Sequence, residues 1–182
     1  MTEFEVLGAP DPGIPTGYRG LARDIPTVVE ELGLDHPANL AMLDFFREFG
    51  GDGHIPDLGL ANRLKDGYVS VPDRGPFEVV ELSRPGSHPS ASQVLLGYDV
   101  AFDQGHESLI ATILLSDETM ETEVRIADLR REFNPLLNGN LLLPNEADAT
   151  RFLREATIVG PWEGPEIHWR VIGLWLIEQG LS

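Results

Sequence analysis

Four side chains that can bind a metal ion or transfer a proton lie within nine residues of the chain, in the stretch GYDVAFDQGHES at residues 97–108. They are Asp99, Asp103, His106 and Glu107. Carboxylates and imidazoles are common ligands of catalytic zinc and common acids and bases in hydrolysis. One hypothesis is therefore a small-ligand or metal-dependent enzyme that uses Asp99, Asp103 and His106.

The spacing of these residues matches no catalytic template. A hydrolytic metal site usually takes its ligands at helix or strand spacing, as in HExxH, where both histidines share one helix face. The stretch GGDGHIPD at residues 50–57 lacks the further oxygen ligands of a calcium loop, and we interpret it as a linker. No GxSxG motif surrounds Ser108, and no phosphate-binding GxxxxGKS/T motif includes Lys65, the only lysine. We therefore predict no catalytic residue, no metal ligand and no cofactor.

The charge distribution favours a different use of the same stretch. The chain has 30 Asp and Glu against 13 Lys and Arg, a formal net charge of -17 that repels nucleic acid and anionic membranes. Residues 86–124, here called the base-free segment, contain no Lys or Arg. The negative electrostatic field of this segment suits a cationic protein surface, because complementary charge speeds the encounter of two proteins and selects partners. A solvated acidic edge without a partner is the alternative. The segment's acids are Asp99, Asp103, Glu107, Asp117, Glu118, Glu121 and Glu123.

Among the three tryptophans, Trp162 is the candidate for an exposed contact. It lies in GPWEGPE, between prolines and glycines, and aromatic side chains are frequent energetic centres of protein interfaces. Trp169 and Trp175 lie on one face of an apolar strand pattern, so we predict that both belong to the core.

Length and composition predict a single globular domain over residues 1–182. A chain of 182 residues with 42% hydrophobic residues can form one proper core, and it has no cysteine for disulfides or thiolate sites. The N-terminus lacks the positive region of a signal peptide, and no apolar run approaches the roughly 18 residues of a membrane helix. We therefore expect a cytoplasmic protein. The prolines and glycines near the start predict an irregular arm over residues 1–22.

The first half of the chain predicts helices followed by strands. N-capping residues, apolar residues at three- and four-residue spacing and terminal glycines mark the helices. The predicted helices span residues 24–33, 36–51 and 57–67. Short runs rich in Val, Leu and aromatic residues then predict antiparallel strands. The predicted strands span residues 68–73, 76–84 and 92–102.

The second half predicts helices and a final strand. SLIATILLS at residues 108–116 is ambiguous between helix and strand, and we favour a helix. Amphipathic helices follow at residues 122–133 and 145–156, with Asn145 as a capping residue. The apolar residues 166–180 predict a central strand covered on both faces. Together these elements predict an α+β fold, with an antiparallel sheet of about four strands on which the N-terminal helices and the helices of the second half pack.

The order of five motifs resembles an uncharacterised bacterial family of small acidic proteins. The motifs are LLGYDVA, SLI, NPLLNGNLLL, EADATRFLREA and WRVIGLWLIE, across roughly residues 76–180. Proteins of this kind resemble the immunity proteins that are encoded beside polymorphic toxins. The resemblance implies an inhibitory binding role and includes no catalytic motif.

Three functional hypotheses follow from these observations. The first is a non-catalytic protein-binding module, an immunity protein that neutralises a cognate bacterial toxin by covering its cationic active-site cleft. The seven acids of the base-free segment would make the contact, with Trp162 as an apolar anchor. The second is the enzyme described above, and the third is a structural or adaptor protein with a constitutive partner. The oligomeric state stays open.

Overall fold

The computed structural model describes most of the chain from residue 55 onwards and short parts of the chain before it. The described residues are 3–10, 19–21, 35–37, 40, 55–68, 76–89, 94–102, 108–115, 123–159 and 168–177. The helix predicted at residues 24–33 and most of the helix predicted at 36–51 lie outside these residues.

A five-stranded antiparallel sheet forms the centre of the described fold, in the order β2-β1-β3-β5-β4. Each neighbouring pair is antiparallel. The predicted α+β class with an antiparallel sheet is confirmed. The strands are β1 Glu3–Pro10, β2 Arg19–Leu21, β3 Glu78–Ser83, β4 Val94–Phe102 and β5 Trp169–Leu176.

The described helices begin where the sequence supplies capping groups. Asp57 Oδ1 accepts a hydrogen bond from Leu60 N at 2.9 Å, and Asn145 Oδ1 accepts one from Asp148 N at 2.9 Å. Each bond satisfies an amide that has no partner within its own helix. The helices are α1 Leu58–Tyr68, a π-helix Ala111–Leu115, α2 Glu123–Phe133, a 3-10 turn Asn134–Leu136 and α3 Glu146–Val159.

The C-terminal strand β5 is an interior strand of the sheet, between β3 and β4, and is covered on both faces. Its consecutive residues 171–174 are all buried, and side chains alternate between the two faces of a strand. β3 shows the same feature, since Val79 and Val80 are 4% and 0% exposed. The prediction of a central, doubly covered strand at the C-terminus is confirmed.

Helices α2 and α3 pack together over the core through two aromatic rings. Phe133 and Phe152 are both fully buried, and their ring centroids lie 5.2 Å apart in an edge-to-face arrangement. The guanidinium of Arg151 lies 4.7 Å from the centroid of the Phe133 ring, close enough for a cation-π contact. Helices α2 and α3 therefore pack against each other, and their contact is part of the core that they share with β4 and β5.

One prediction about the first half of the chain is wrong, and another falls almost wholly outside the described residues. The irregular arm predicted for residues 1–22 contains β1 and β2 instead. β1 pairs with β3 about 75 residues later in the chain, and this long-range pairing is not visible in a local pattern. The strand predicted at residues 68–73 starts inside a helix, because α1 continues through Tyr68, and residues 69–75 lie outside the described part. Within the described residues the sheet thus has five strands, two of them from the predicted arm.

Candidate functional site

The stretch GYDVAFDQGHES joins strand β4 to the short helix that follows it. β4 ends at Phe102, and the description resumes at Ser108, which forms an isolated antiparallel bridge with Ala101. The two ends of residues 103–107 are therefore held next to each other. Asp103, His106 and Glu107 lie within this interval, outside the described residues.

Asp99 is buried, and its carboxylate bonds to groups of its own chain. The side chain is 5% exposed. Oδ1 accepts hydrogen bonds from Val100 N at 2.7 Å and from the hydroxyl of Ser108 at 2.7 Å. Because a buried carboxylate is costly unless it is hydrogen-bonded, these bonds are what allow Asp99 to occupy this position. Asp99 thus connects β4 to the start of the following helix.

Ser108 in turn bonds to the helix that follows it. It is 7% exposed, and its hydroxyl accepts a hydrogen bond from Ala111 N at 3.1 Å. Its carbonyl accepts bonds from Thr112 N at 3.0 Å and from the Thr112 hydroxyl at 2.9 Å. Ser108 is therefore the N-cap of the helical residues 109–115, and the negative charge of Asp99 lies near the positive end of that helix.

The outer edge of β4 is closed by the loop after the 3-10 turn. Asn138 Nδ2 and Asn140 Nδ2 donate to the carbonyl of Leu96 at 2.7 and 3.3 Å. Tyr98 and Leu143 exchange two backbone hydrogen bonds of 2.8 and 3.0 Å. An edge strand with open amides and carbonyls can pair with another chain, and these contacts occupy the carbonyl of Leu96 and both backbone groups of Tyr98.

Gly97 allows this loop to approach β4. A Cβ at Gly97 would lie 2.6 Å from Leu142 Cβ and 2.9 Å from Asn138 Nδ2. Its φ of 147° is also one that L-residues rarely adopt. The register of β4 against β5 shifts between Leu95 and Gly97, so the glycine lies at a bulge.

Glu146, the first residue of α3, binds the turn after β3. Ser87 N donates to Arg84 O at 3.0 Å, and Gly86 has φ 75°, as a type II turn requires. Glu146 Oε2 accepts a bond from Gly86 N at 2.9 Å. The pKa of Tyr98 is raised above its usual value, first by burial and then by the negative charge of Glu146.

The far end of the base-free segment is fastened to α2. Arg130 Nε donates to the carbonyl of Ile113 at 2.7 Å, and Asn134 Nδ2 donates to the carbonyl of Leu114 at 3.5 Å. These donors satisfy carbonyls at the C-terminal end of the π-helix, where a cation is favourable. Arg130 is thus bound to the helix that precedes residues 116–122.

Most arginines after the base-free segment bond to acids of the domain itself. Residues 125–182 contain eight acids and six bases, whereas the base-free segment contains seven acids and no base. The pairs are Arg131 with Asp128, Arg151 with Glu132 and Asp148, Arg154 with Glu155, and Arg170 with Glu3. Of these two parts of the chain, the base-free segment therefore has the larger excess of acids over bases, seven against two.

Of the residues predicted to contact a partner, only Asp99 has a described side chain. Glu123 begins α2, but its side chain is not among the described ones. The others lie outside the described residues, and their contacts stay predictions. These are Asp103, Glu107, Asp117, Glu118, Glu121 and Trp162.

The described cavities do not include the residues of the enzyme hypothesis. One of about 440 Å³ is lined by residues at the ends of β1 and β3 and by the turn after β3, among them Glu81 and His88. A groove of about 200 Å³ lies between α2 and α3 beside Ile158, which is 68% exposed. Among the described side chains, no three His, Asp or Glu residues form a group that could hold a metal ion.

Three residues of this region were not predicted from the sequence. Ser108, Asn138 and Asn140 fasten the base-free segment and the edge of β4 to the rest of the domain. The sequence did contain signals for these roles, because Ser is a common N-cap residue and Asn-Gly-Asn is a turn sequence. The motifs LLGYDVA, SLI and NPLLNGNLLL lie together in this region of the fold. Their residues therefore have a role in packing.

Within the described residues, no helix has the length and apolar character needed to span a membrane. Comparisons with protein-family models, with curated proteins and with solved structures found no match to this chain.

Proposed function

We propose that this chain is a non-catalytic protein-binding module, an immunity protein that neutralises a cognate bacterial toxin through an acidic surface. The observation that carries the proposal is the base-free segment, with seven acids and no Lys or Arg. The contact is made by its acids outside the core, with Trp162 as an apolar anchor. The partner is a protein with a cationic active-site cleft, and neither nucleic acid nor membrane takes part.

The internal ion pairs of the second half support this assignment. Arg130 is bound to the π-helix, and Arg131, Arg151, Arg154 and Arg170 are bound to acids. These cations bind groups of the domain itself, while residues 116–122 contain three acids and no base. A cationic cleft on a partner supplies the missing charge, and complementary fields of this kind raise association rates.

The geometry of Asp99 argues against the enzyme hypothesis. That hypothesis needs Asp99 as a ligand or base beside Asp103 and His106. The carboxylate is instead 5% exposed and bonded to Val100 and Ser108. A buried, hydrogen-bonded carboxylate of this kind has a structural use and little access to a substrate.

The proposal predicts a toxin encoded beside this chain, and binding to the catalytic domain of that toxin tests it. We expect a tight complex with an affinity in about the nanomolar range. Glu118→Gln with Glu121→Gln lowers the association rate constant by about tenfold at low salt, because long-range attraction to the cleft weakens.

A matched variant removes two charges elsewhere. Asp35 and Asp66 are both exposed and lie outside the base-free segment. Asp35→Asn with Asp66→Asn leaves the association rate constant close to that of the wild type. Equal losses in both double variants would show that only the total charge matters, and a wild-type protein that does not bind the toxin domain would refute the proposal.

A further inference from the structure

We infer that Asn138 is a site of spontaneous deamidation, and that this modification loosens the attachment of the loop after the 3-10 turn to the edge of β4. Of the six asparagines in the chain, Asn138 is the only one followed by glycine. Glycine has no Cβ to hinder the approach of its backbone nitrogen to the preceding side chain. The inference concerns the chain alone and goes beyond the proposed function.

The reaction needs no reagent other than water. The backbone nitrogen of Gly139 attacks Cγ of Asn138 and loses its proton, the bond between Cγ and Nδ2 breaks, and ammonia leaves with that proton. A five-membered succinimide ring remains. Water then opens the ring at either of its two carbonyl carbons, which gives aspartate or isoaspartate at position 138. The net change is one NH2 group replaced by OH, which ionises to a carboxylate.

The fold leaves the attacking nitrogen accessible. Gly139 is exposed, and apart from its chain neighbours no atom lies within 4 Å of the position that a Cβ would take there. Among the hydrogen bonds of the described residues, none has Gly139 N as its donor. The attack on Asn138 therefore breaks no hydrogen bond of this nitrogen, and water can reach the ring that forms.

Two backbone amides already donate to the oxygen on which charge develops. Asn138 Oδ1 accepts hydrogen bonds from Asn140 N at 2.9 Å and from Leu142 N at 3.2 Å. Attack on Cγ moves negative charge onto Oδ1, and donors that are in place beforehand stabilise such a charge. The same two bonds restrict the side chain to one orientation. The loop therefore supports the first step of the reaction.

Deamidation removes a bond between the loop and β4. Asn138 Nδ2 donates to the carbonyl of Leu96 at 2.7 Å, and a carboxylate has no hydrogen to donate to this carbonyl. Isoaspartate also adds one carbon atom to the main chain, which displaces the turn. The longer bond from Asn140 Nδ2 to Leu96 and the backbone bonds between Tyr98 and Leu143 do not use the Asn138 side chain. The loop is therefore loosened at one end and stays attached at the other.

Peptide mapping by mass spectrometry tests the modification. The folded protein is incubated at mildly alkaline pH, which favours loss of the proton from the attacking nitrogen. We expect the peptide to gain the mass difference between OH and NH2 at Asn138, while Asn140 in the same peptide, which precedes leucine, stays unchanged. In Gly139→Ala the rate falls by about tenfold, because a Cβ hinders the attack although the fold has room for it.

Two results of this experiment would overturn the inference. One is an equal rate in the wild type and in Gly139→Ala, or at Asn138 and Asn140. The other is an Asn138 that stays intact in the folded protein, even if it deamidates in urea, since the fold would then block the attack.

Urea unfolding tests the effect on the loop. Asn138→Asp reproduces one product of the reaction, and Asn140→Asp is the matched control because it adds the same charge two residues later. We expect the ratio of folded to unfolded protein to be about tenfold lower in Asn138→Asp than in Asn140→Asp, as for the loss of one hydrogen bond. Wild-type protein that has deamidated, separated by anion exchange, unfolds at lower urea than intact protein. Equal unfolding of the two variants would overturn the loosening, and neither measurement depends on a toxin.

Discussion

The side chain of Asn138 donates a hydrogen bond to the backbone carbonyl of Leu96 at 2.7 Å, across 42 residues of sequence. The same side chain accepts bonds through Oδ1 from Asn140 N at 2.9 Å and from Leu142 N at 3.2 Å. One asparagine thus shapes its own loop and attaches that loop to the edge of β4. Part of the sheet edge formed by β4, which lies within the base-free segment, is therefore bound by the chain itself.

Replacing Asn138 by alanine removes three hydrogen bonds at once. We expect the free energy of unfolding to fall by about 1–3 kcal/mol, because partly buried backbone groups lose their partners. Asn140→Ala removes one longer bond of 3.3 Å to Leu96 and costs less. Urea unfolding of both variants measures the difference. An Asn138→Ala protein as stable as the wild type would mean that the loop does not depend on this side chain.

Gly97 and Gly139 form a natural pair of test positions. Gly97 has an unfavourable φ for other residues and a neighbour 2.6 Å from a built Cβ, whereas nothing lies within 4 Å of a Cβ at Gly139. Gly97→Ala is expected to lower the free energy of unfolding by about 2–5 kcal/mol, from strain and overpacking together. Gly139→Ala is expected to change it little. Thermal and urea unfolding check both, and similar effects would contradict the close approach at β4.

Tyr98 makes stability sensitive to alkaline pH. Its pKa is raised in the fold, by burial first and by Glu146 second, so the folded protein holds the phenolic proton more tightly than the unfolded chain does. This contribution is fully present below the unfolded pKa near 10 and is lost as the pH rises through the folded pKa. Between pH 9 and pH 11 the wild type is therefore expected to lose stability more steeply than Tyr98→Phe.

Urea unfolding at several pH values measures this slope, and phenolate absorbance follows the titration itself. Glu146→Gln is the companion variant, and it brings the pKa of Tyr98 part of the way back towards its usual value because Glu146 is the second cause. Equal slopes in the wild type and in Tyr98→Phe would contradict the raised pKa.

Much of the fold follows from local sequence signals. The caps at Asp57 and Asn145, the apolar spacing of α2 and α3, and the continuous apolar run of β5 all predict the observed elements. Strand β1 was not predicted, because the nearby prolines and glycines indicated an irregular segment more strongly than the short alternation of polar and apolar residues in EFEVL indicated a strand. The insertion of β5 between β3 and β4 is a long-range pairing that no local pattern contains.

The candidate site was harder to predict than the fold. All acids of the base-free segment look alike in sequence, yet Asp99 is buried by its place on β4 and by the position of Ser108. Which acid faces the core depends on strand register, and register depends here on a bulge at Gly97. A charge count therefore shows that a segment has an excess of negative charge more readily than it shows which of its side chains are exposed.

The most direct test of the central claim is a titration of the neighbouring toxin domain's activity with this protein. Stoichiometric binding predicts that activity falls in proportion to the added protein and reaches zero near one equivalent, with weaker inhibition at high salt. Full toxin activity in the presence of a large excess would contradict the account. Complete loss of activity at a small fraction of one equivalent would contradict it as well, because that result requires a catalyst.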